Sequence, residues 1–277
     1  MNEELSSLLA SLTVQLDEPV LARAGVIPWS SPVPVFGDPS RSRVATLGIN
    51  PSSREFVDAS GRELDGTLRR FHTLRSLQLE RWAHADIGHL RSVWSYCVDY
   101  FHRYPYDTWF KKLDYIIAGA GATYYGFESS ACHVDLVPYA TEPRWTGLEP
   151  KQRTLLLNVA GATLATMLRD SSIEILVLNG RSVIEEFERV AGLQLDTIDM
   201  PAWTLPRRKL AGVEGSAKIG HASMIGSVTL GRAVVVLGFN HNLQSSFGVT
   251  KQVITSIRDW LTEVVGDKWP KRRMPQA

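Results

Sequence analysis

The stretch Val44-Ala45-Thr46-Leu47-Gly48-Ile49-Asn50-Pro51-Ser52-Ser53 is an apolar run that stops in a polar turn. Such a short apolar run, without strict polar alternation, reads as a strand buried on both faces of a parallel sheet. A second run, 234–238, passes into Phe239-Asn240-His241-Asn242-Leu243-Gln244-Ser245-Ser246. In open α/β sheets ligands bind beyond the carboxyl ends of the strands. Two polar turns far apart in the chain are thereby expected to face one crevice. Between them, 131–138 reads as another strand carrying His133 and Asp135, and 173–178 as a fourth.

Working outward, apolar spacing predicts helices over 4–16, 64–77, 88–102 and 107–118, with Gly119-Ala120-Gly121-Ala122 breaking the last. A long helix is expected over 149–169, with Pro150 in its first turn, where a missing N–H costs nothing. Another follows at 182–191, with Ser182 as a cap, and a final one at 250–264 capped by Thr250. Residues 193–231 are Gly-rich and irregular, with a hairpin and an exposed Arg207-Arg208-Lys209. Strands alternating with helices predict a single α/β domain over 1–277, a three-layer α/β/α sandwich on a mainly parallel four-stranded sheet. The N-terminal helical region 1–26 and the basic tail 268–277 are expected to be peripheral.

The 277 residues suffice for a substantial core, and 44% hydrophobic with 21% charged residues is ordinary for a soluble domain. A net charge of +1 gives no global signature of nucleic-acid binding, so any DNA contact must use a local patch. Two cysteines, Cys97 and Cys132, cannot make a four-thiolate iron–sulfur or zinc site. The start, Met1-Asn2-Glu3-Glu4, lacks the basic stretch of a secretory leader, and no apolar run approaches the ~20 residues that span a bilayer. A cytoplasmic, bacterial-type location is expected, with no membrane contact, no cofactor or metal, and no obligatory protein partner.

In this order, the motifs resemble those of the uracil-DNA glycosylase superfamily. Gly48-Ile49-Asn50-Pro51-Ser52 is similar to the first motif in its mismatch-specific and single-strand-selective branches. Phe239-Asn240-His241-Asn242-Leu243-Gln244-Ser245 resembles the second, with His241 where proline is usual. The strand with His133 and Asp135 corresponds to the base-reading strand, and 173–180 to the strand and turn before the second motif. The resemblance covers roughly residues 40–265. It implies a monofunctional glycosylase that flips a pyrimidine out of DNA and leaves an abasic site. No lysine lies in either motif, so no Schiff-base step is expected.

By that resemblance Asn50 holds the attacking water through its side-chain oxygen. Asn240 or His241 faces the pyrimidine O2, where negative charge gathers as the glycosidic bond breaks. Ile49 and an aromatic, Phe56 with Tyr124 and Tyr125 as alternatives, contact the base. Ser52, Ser53, Asn242, Ser245 and Ser246 contact the DNA backbone, and Leu243 or Gln244 is the wedge. Asp135 stands where the uracil-reading branch commonly has asparagine. An ionised carboxylate cannot donate to O4 but accepts from the N4 amine of cytosine. The clash with cytosine N3 eases if either group carries a proton. His133, on the same face, is placed to orient Asp135. The expected substrate is therefore a cytosine derivative, such as hydroxymethylated or glucosylated cytosine in phage DNA, read for anti-phage defence. The insert 193–231 would build a wide pocket for it.

Bland readings compete at each position. Asn50 suits a turn before proline, His241 the pinning of a loop, and Asp135 a structural pair with His133 or Arg144. The aromatic and basic stretch 100–112 suits base stacking beside phosphates but equally a buried core. Arg69, Arg70 and Arg75 suit DNA or a solvated face. Two other functions stay open: a uracil or G·T mismatch glycosylase, and a DNA-binding protein of this fold without catalysis.

Overall fold

The computed structural model describes residues 3–104, 108–126, 129–207, 211–244 and 248–268. The chain begins with α1 (Glu3–Leu16) and α2 (Pro19–Arg23), then enters β1 (Val44–Gly48). Next come α3 (Ile87–Val98), α4 (Tyr100–Arg103), α5 (Thr108–Ile117), β2 (Ala131–Asp135), α6 (Pro150–Arg169) and β3 (Ile175–Asn179). The last part is α7 (Arg181–Ala191), β4 (Asp196–Asp199), β5 (Ser216–Ile225), β6 (Val228–Phe239) and α8 (Lys251–Lys268).

One mixed sheet of six strands, in the order β2-β1-β3-β6-β5-β4, organises these elements. Its β2-β1-β3-β6 part is parallel, and β1, β2 and β3 are fully buried, as two-sided burial of apolar runs requires. The sheet is larger than the expected four strands because the 193–231 insert adds β5 antiparallel to β6 and β4 antiparallel to β5. The β5–β6 hairpin turns at Gly226-Ser227, with Gly226 at φ +56°, a conformation suited to glycine in a two-residue turn. Hence β6 starts at Val228, well before the apolar run at 234. Most of the buried apolar residues form one cluster running from Leu12 to Leu261.

The expected helix at 64–77 is replaced by short 3-10 turns at Gly66–Leu68 and Arg75–Leu77. Its apolar spacing is helical, but Thr73 and Ser76 exchange side-chain and main-chain hydrogen bonds that compete with a helical ladder. The main chain there also bonds outward, Ser31 to His72 and Leu74 to Trp29. The 88–102 helix is split at Asp99 into α3 and α4. Gly180, not Ser182, caps α7. Thr250 caps α8 as expected, its hydroxyl accepting from the Val253 N–H. Arg208, Lys209 and the tail beyond 268 lie outside the described residues.

Candidate active site

The parallel strands β1, β2, β3 and β6 point their carboxyl ends the same way, and the loops leaving all four line one cavity of about 570 Å³. This lies within the roughly 300–1,000 Å³ common for small-molecule sites. From β1 come Gly48, Ile49, Asn50, Pro51, Ser52 and Ser53, and from β2 come His133, Asp135 and the 141–145 loop. Asn179 ends β3, and Asn242 and Gln244 follow β6. The first turn of α5 closes one wall with Thr108, Trp109 and Phe110.

Register explains the base of the site. Thr46 pairs with His133 and Gly48 with Asp135, so alternation sets all four on one face. Both His133 and Asp135 are almost fully buried. His133 Nε2 lies 3.3 Å from Asp135 Oδ1, and its Nδ1 lies 2.7 Å from Thr46 Oγ1. Thr46 Oγ1 also meets the Tyr124 hydroxyl at 2.5 Å. Phe36, Trp109 and Phe110 pack around the imidazole with ring centroids 5.2–5.5 Å away. Gly48 is obligatory here, because a Cβ would lie 2.3 Å from Asp135 Oδ1 and 2.9 Å from His133 Nε2.

Asn50 is fixed by its nitrogen. Its Nδ2 donates to Thr141 Oγ1 at 3.0 Å, the Pro51 carbonyl at 3.1 Å and the Tyr139 carbonyl at 3.3 Å. Two of these partners can only accept, which assigns the amide orientation. Thr141 spends its own proton on the Pro143 carbonyl at 2.7 Å. The Asn50 oxygen has no protein partner among the described residues, and the side chain lines the cavity.

The second motif departs from expectation. Asn240 and His241 do not reach the cavity. Asn240 ties β6 to the chain before β5, accepting from the Ser216 N–H and donating to the Glu214 carbonyl. His241 is buried, with Nε2 donating to the Trp203 carbonyl at 2.7 Å. Burial holds its pKa below the ordinary value despite that bond. Leu243 is buried in the core and cannot act as a wedge as it stands. Gln244 bridges two elements, accepting from Asn179 Nδ2 at 2.7 Å and donating to the Trp109 carbonyl at 3.2 Å. The cause is a close backbone crossing: Gly180, at φ +101°, leaves room for Asn242, whose Cβ would lie 2.8 Å from an added Cβ. That crossing turns Asn242 and Gln244 toward the cavity.

Other assignments shift too. Phe56 is buried against Trp29 and Phe71, away from the cavity, and Phe36, Phe110 and Trp109 supply the aromatic wall instead. Tyr125 stacks near Lys111 rather than lining the site. In the 100–112 stretch, Tyr100, Phe101 and Phe110 are core, while Trp109 is half-exposed. Arg70 lines the cavity beside Glu55, whereas Arg69 and Arg75 lie near Asp65. No described residue of 193–231 lines the cavity, because β4 and β5 occupy the far edge of the sheet. Of this wall, 108–110 falls within the 100–112 stretch that suits base stacking, whereas the 142–145 loop was not read as part of the site, its available signal being Trp145. Ser52 is exposed and Ser53 half-buried at the rim, while Ser245 and Ser246 lie outside the described residues.

Among the described residues, no cluster of three or more histidine, cysteine or acidic side chains could hold a metal ion, and no helix is long and apolar enough to cross a membrane. No protein-family model matches this chain, and comparison with curated proteins found no match.

Proposed function

We propose that the protein is a monofunctional DNA glycosylase that takes a flipped pyrimidine, a modified cytosine above all, into the cavity and leaves an abasic site. The observation that carries this reading is the pairing of a buried carboxylate with an oriented amide. Asp135 sits on β2 beside Gly48, and Asn50 follows two residues later with its oxygen directed away from its protein partners. On this reading the Asn50 oxygen accepts a hydrogen bond from water, which attacks C1′ as the C1′–N1 bond breaks. The bonding electrons leave with the base. Asn50 cannot take up the water's proton as a carboxylate would; that proton passes to solvent or to the departing base anion, so the chemistry depends on the leaving group. Asn242, on the cavity wall, replaces Asn240 and His241 as the candidate donor to the pyrimidine O2. A three-layer α/β/α arrangement around the sheet belongs to the same reading.

Substrate width comes from the first-motif loop and the 142–145 loop rather than the 193–231 insert. Together they add Arg54, Glu55, Glu142, Arg144 and Trp145 to the cavity wall. This polar rim suits a hydroxylated substituent on C5 of cytosine, as in phage DNA.

The test is incubation of the protein with DNA containing uracil, G·T mismatches, cytosine, hydroxymethylcytosine or glucosylated hydroxymethylcytosine, followed by alkali. Cleavage is expected at a modified cytosine and lost in Asn50→Ala and Asp135→Ala. Asp135→Asn should gain uracil excision, since an amide can donate to O4; absence of any gain would count against Asp135 as the base reader. The turning away of both Asn240 and His241 favours one second reading, a protein that binds modified DNA without cleaving it. Tight binding of such DNA with no abasic product would select it.

A further inference from the structure

We propose that Thr46 and Tyr124 are positioning residues that set, through a one-way chain of hydrogen bonds, the donor and acceptor pattern of the His133–Asp135 pair. Only the consequence for substrate rests on the glycosylase reading above.

The chain runs away from the cavity into the core. Tyr124 is 1% exposed, and among the described residues its hydroxyl meets only Thr46 Oγ1. Burial pushes the phenol pKa well above its ordinary value, so the group keeps its proton. That proton has one acceptor within reach, Thr46 Oγ1. The Thr46 hydrogen must then go to its other neighbour, His133 Nδ1, 2.7 Å away. With Nδ1 accepting, the hydrogen of the neutral ring sits on Nε2. Nε2 faces Asp135 Oδ1 at 3.3 Å.

Packing holds the ring in this sense. The rings of Phe36, Trp109 and Phe110 surround it, and a turned-over imidazole would set a ring carbon against Thr46 Oγ1 in place of Nδ1. Gly48 leaves the space that the imidazole and carboxylate share.

The result is an asymmetric carboxylate. Oδ1 is the oxygen nearest the imidazole N–H, 3.3 Å from Nε2, and the remaining oxygen is left as an acceptor for whatever enters the cavity. A 4-amino pyrimidine offers it an N–H. At ring position 4 a 4-keto pyrimidine offers a lone pair against a lone pair, its one donor, N3–H, lying beside it. The proton order set at Tyr124, two hydrogen bonds behind the imidazole, therefore selects amino over keto pyrimidines at the cavity.

The experiment uses the full chain labelled with ¹⁵N-histidine and long-range ¹H–¹⁵N spectra at neutral pH. His133 is expected as the Nε2–H tautomer; an Nδ1–H tautomer or an imidazolium would overturn the proposal. Thr46→Val keeps the side-chain shape and removes the hydroxyl. It should move the Nδ1 resonance by several ppm toward that of an unbonded ring nitrogen, and Thr46→Ser should restore it. A second measurement takes the ratio of kcat/KM for modified-cytosine over uracil DNA. Thr46→Val should lower it about tenfold, the worth of roughly one hydrogen bond, with Tyr124→Phe lowering it less. An unchanged ratio in Thr46→Val would remove the specificity role even if the tautomer is as stated. Should the unaltered protein cleave none of these DNAs, the glycosylase reading falls, while the ring-nitrogen spectra still decide the proton chain by themselves.

Discussion

Asn50 donates to the carbonyls of Pro51 and Tyr139, and a carboxylate in its place would set negative oxygens against both. Asn50→Asp is therefore not a route to a stronger general base. It should destabilise the fold by about 1–3 kcal/mol, read as a lower urea midpoint, because buried acceptors would lose their donor. An Asn50→Asp variant of unchanged midpoint would show that the amide is not held as described. At this scale the first motif was well legible in the sequence. A strand end fixes the direction of the residues just beyond it, so the turn holding Asn50 was assigned to a crevice by its place after a strand, and His133 to the face of Asp135 by alternation. The same logic failed for Asn240, His241 and Leu243. Their orientation depends on the Trp203 carbonyl, the Glu214 carbonyl and the Gly180 crossing, partners that local sequence does not announce.

Among the elements, the crossing of the β3–α7 turn over the β6–α8 loop deserves a direct trial. Gly180 donates its N–H to the Phe239 carbonyl, and Arg181 donates to the Asn240 carbonyl. Gly180→Ala would combine a left-handed φ of +101° with a 2.8 Å contact to Asn242 Cβ. The expected cost is about 1–3 kcal/mol, with crystallography showing Asn242 and Gln244 displaced from the cavity. An undisturbed loop would mean that the crossing does not set their orientation. Legibility also varied by element. Parallel strands announce themselves as continuous apolar runs because both faces are buried. The antiparallel β4 and β5 do not: β4 is exposed along its whole length, and β5 is mostly half-buried or exposed. The false helix at 64–77 satisfied apolar spacing, yet hydroxyl-to-backbone bonding and pairing to 29–31 won.

For the whole molecule, pH acts through buried histidines. Burial, aided by the Arg69 and Arg103 guanidinium groups, pushes His72 down to about 4, and burial also lowers His241. A histidine with a depressed folded pKa stays neutral in the fold but takes up a proton once unfolded. Its contribution is thus present above the ordinary value of 6.5 and is lost as pH falls from there toward 4. Urea unfolding at pH 7 and pH 5 should differ by on the order of 1–2 kcal/mol from His72 alone. A His72→Gln variant should show a correspondingly smaller pH dependence; an equal dependence would assign the effect elsewhere.

Four of the eight tryptophans divide by depth. Trp82 and Trp203 are sealed in the core, while Trp109 and Trp145 stand at the cavity wall, Trp109 with 41% of its surface exposed. Of the fluorescence, the share from Trp82 and Trp203 should be blue and constant, and the share from Trp109 and Trp145 redder and responsive to the cavity. A ligand that fills the cavity would strip water from the second pair and shift its emission to shorter wavelength. Trp109→Phe should remove most of that shift. The fold thus carries its own optical gauge of occupancy, readable before any bond is broken.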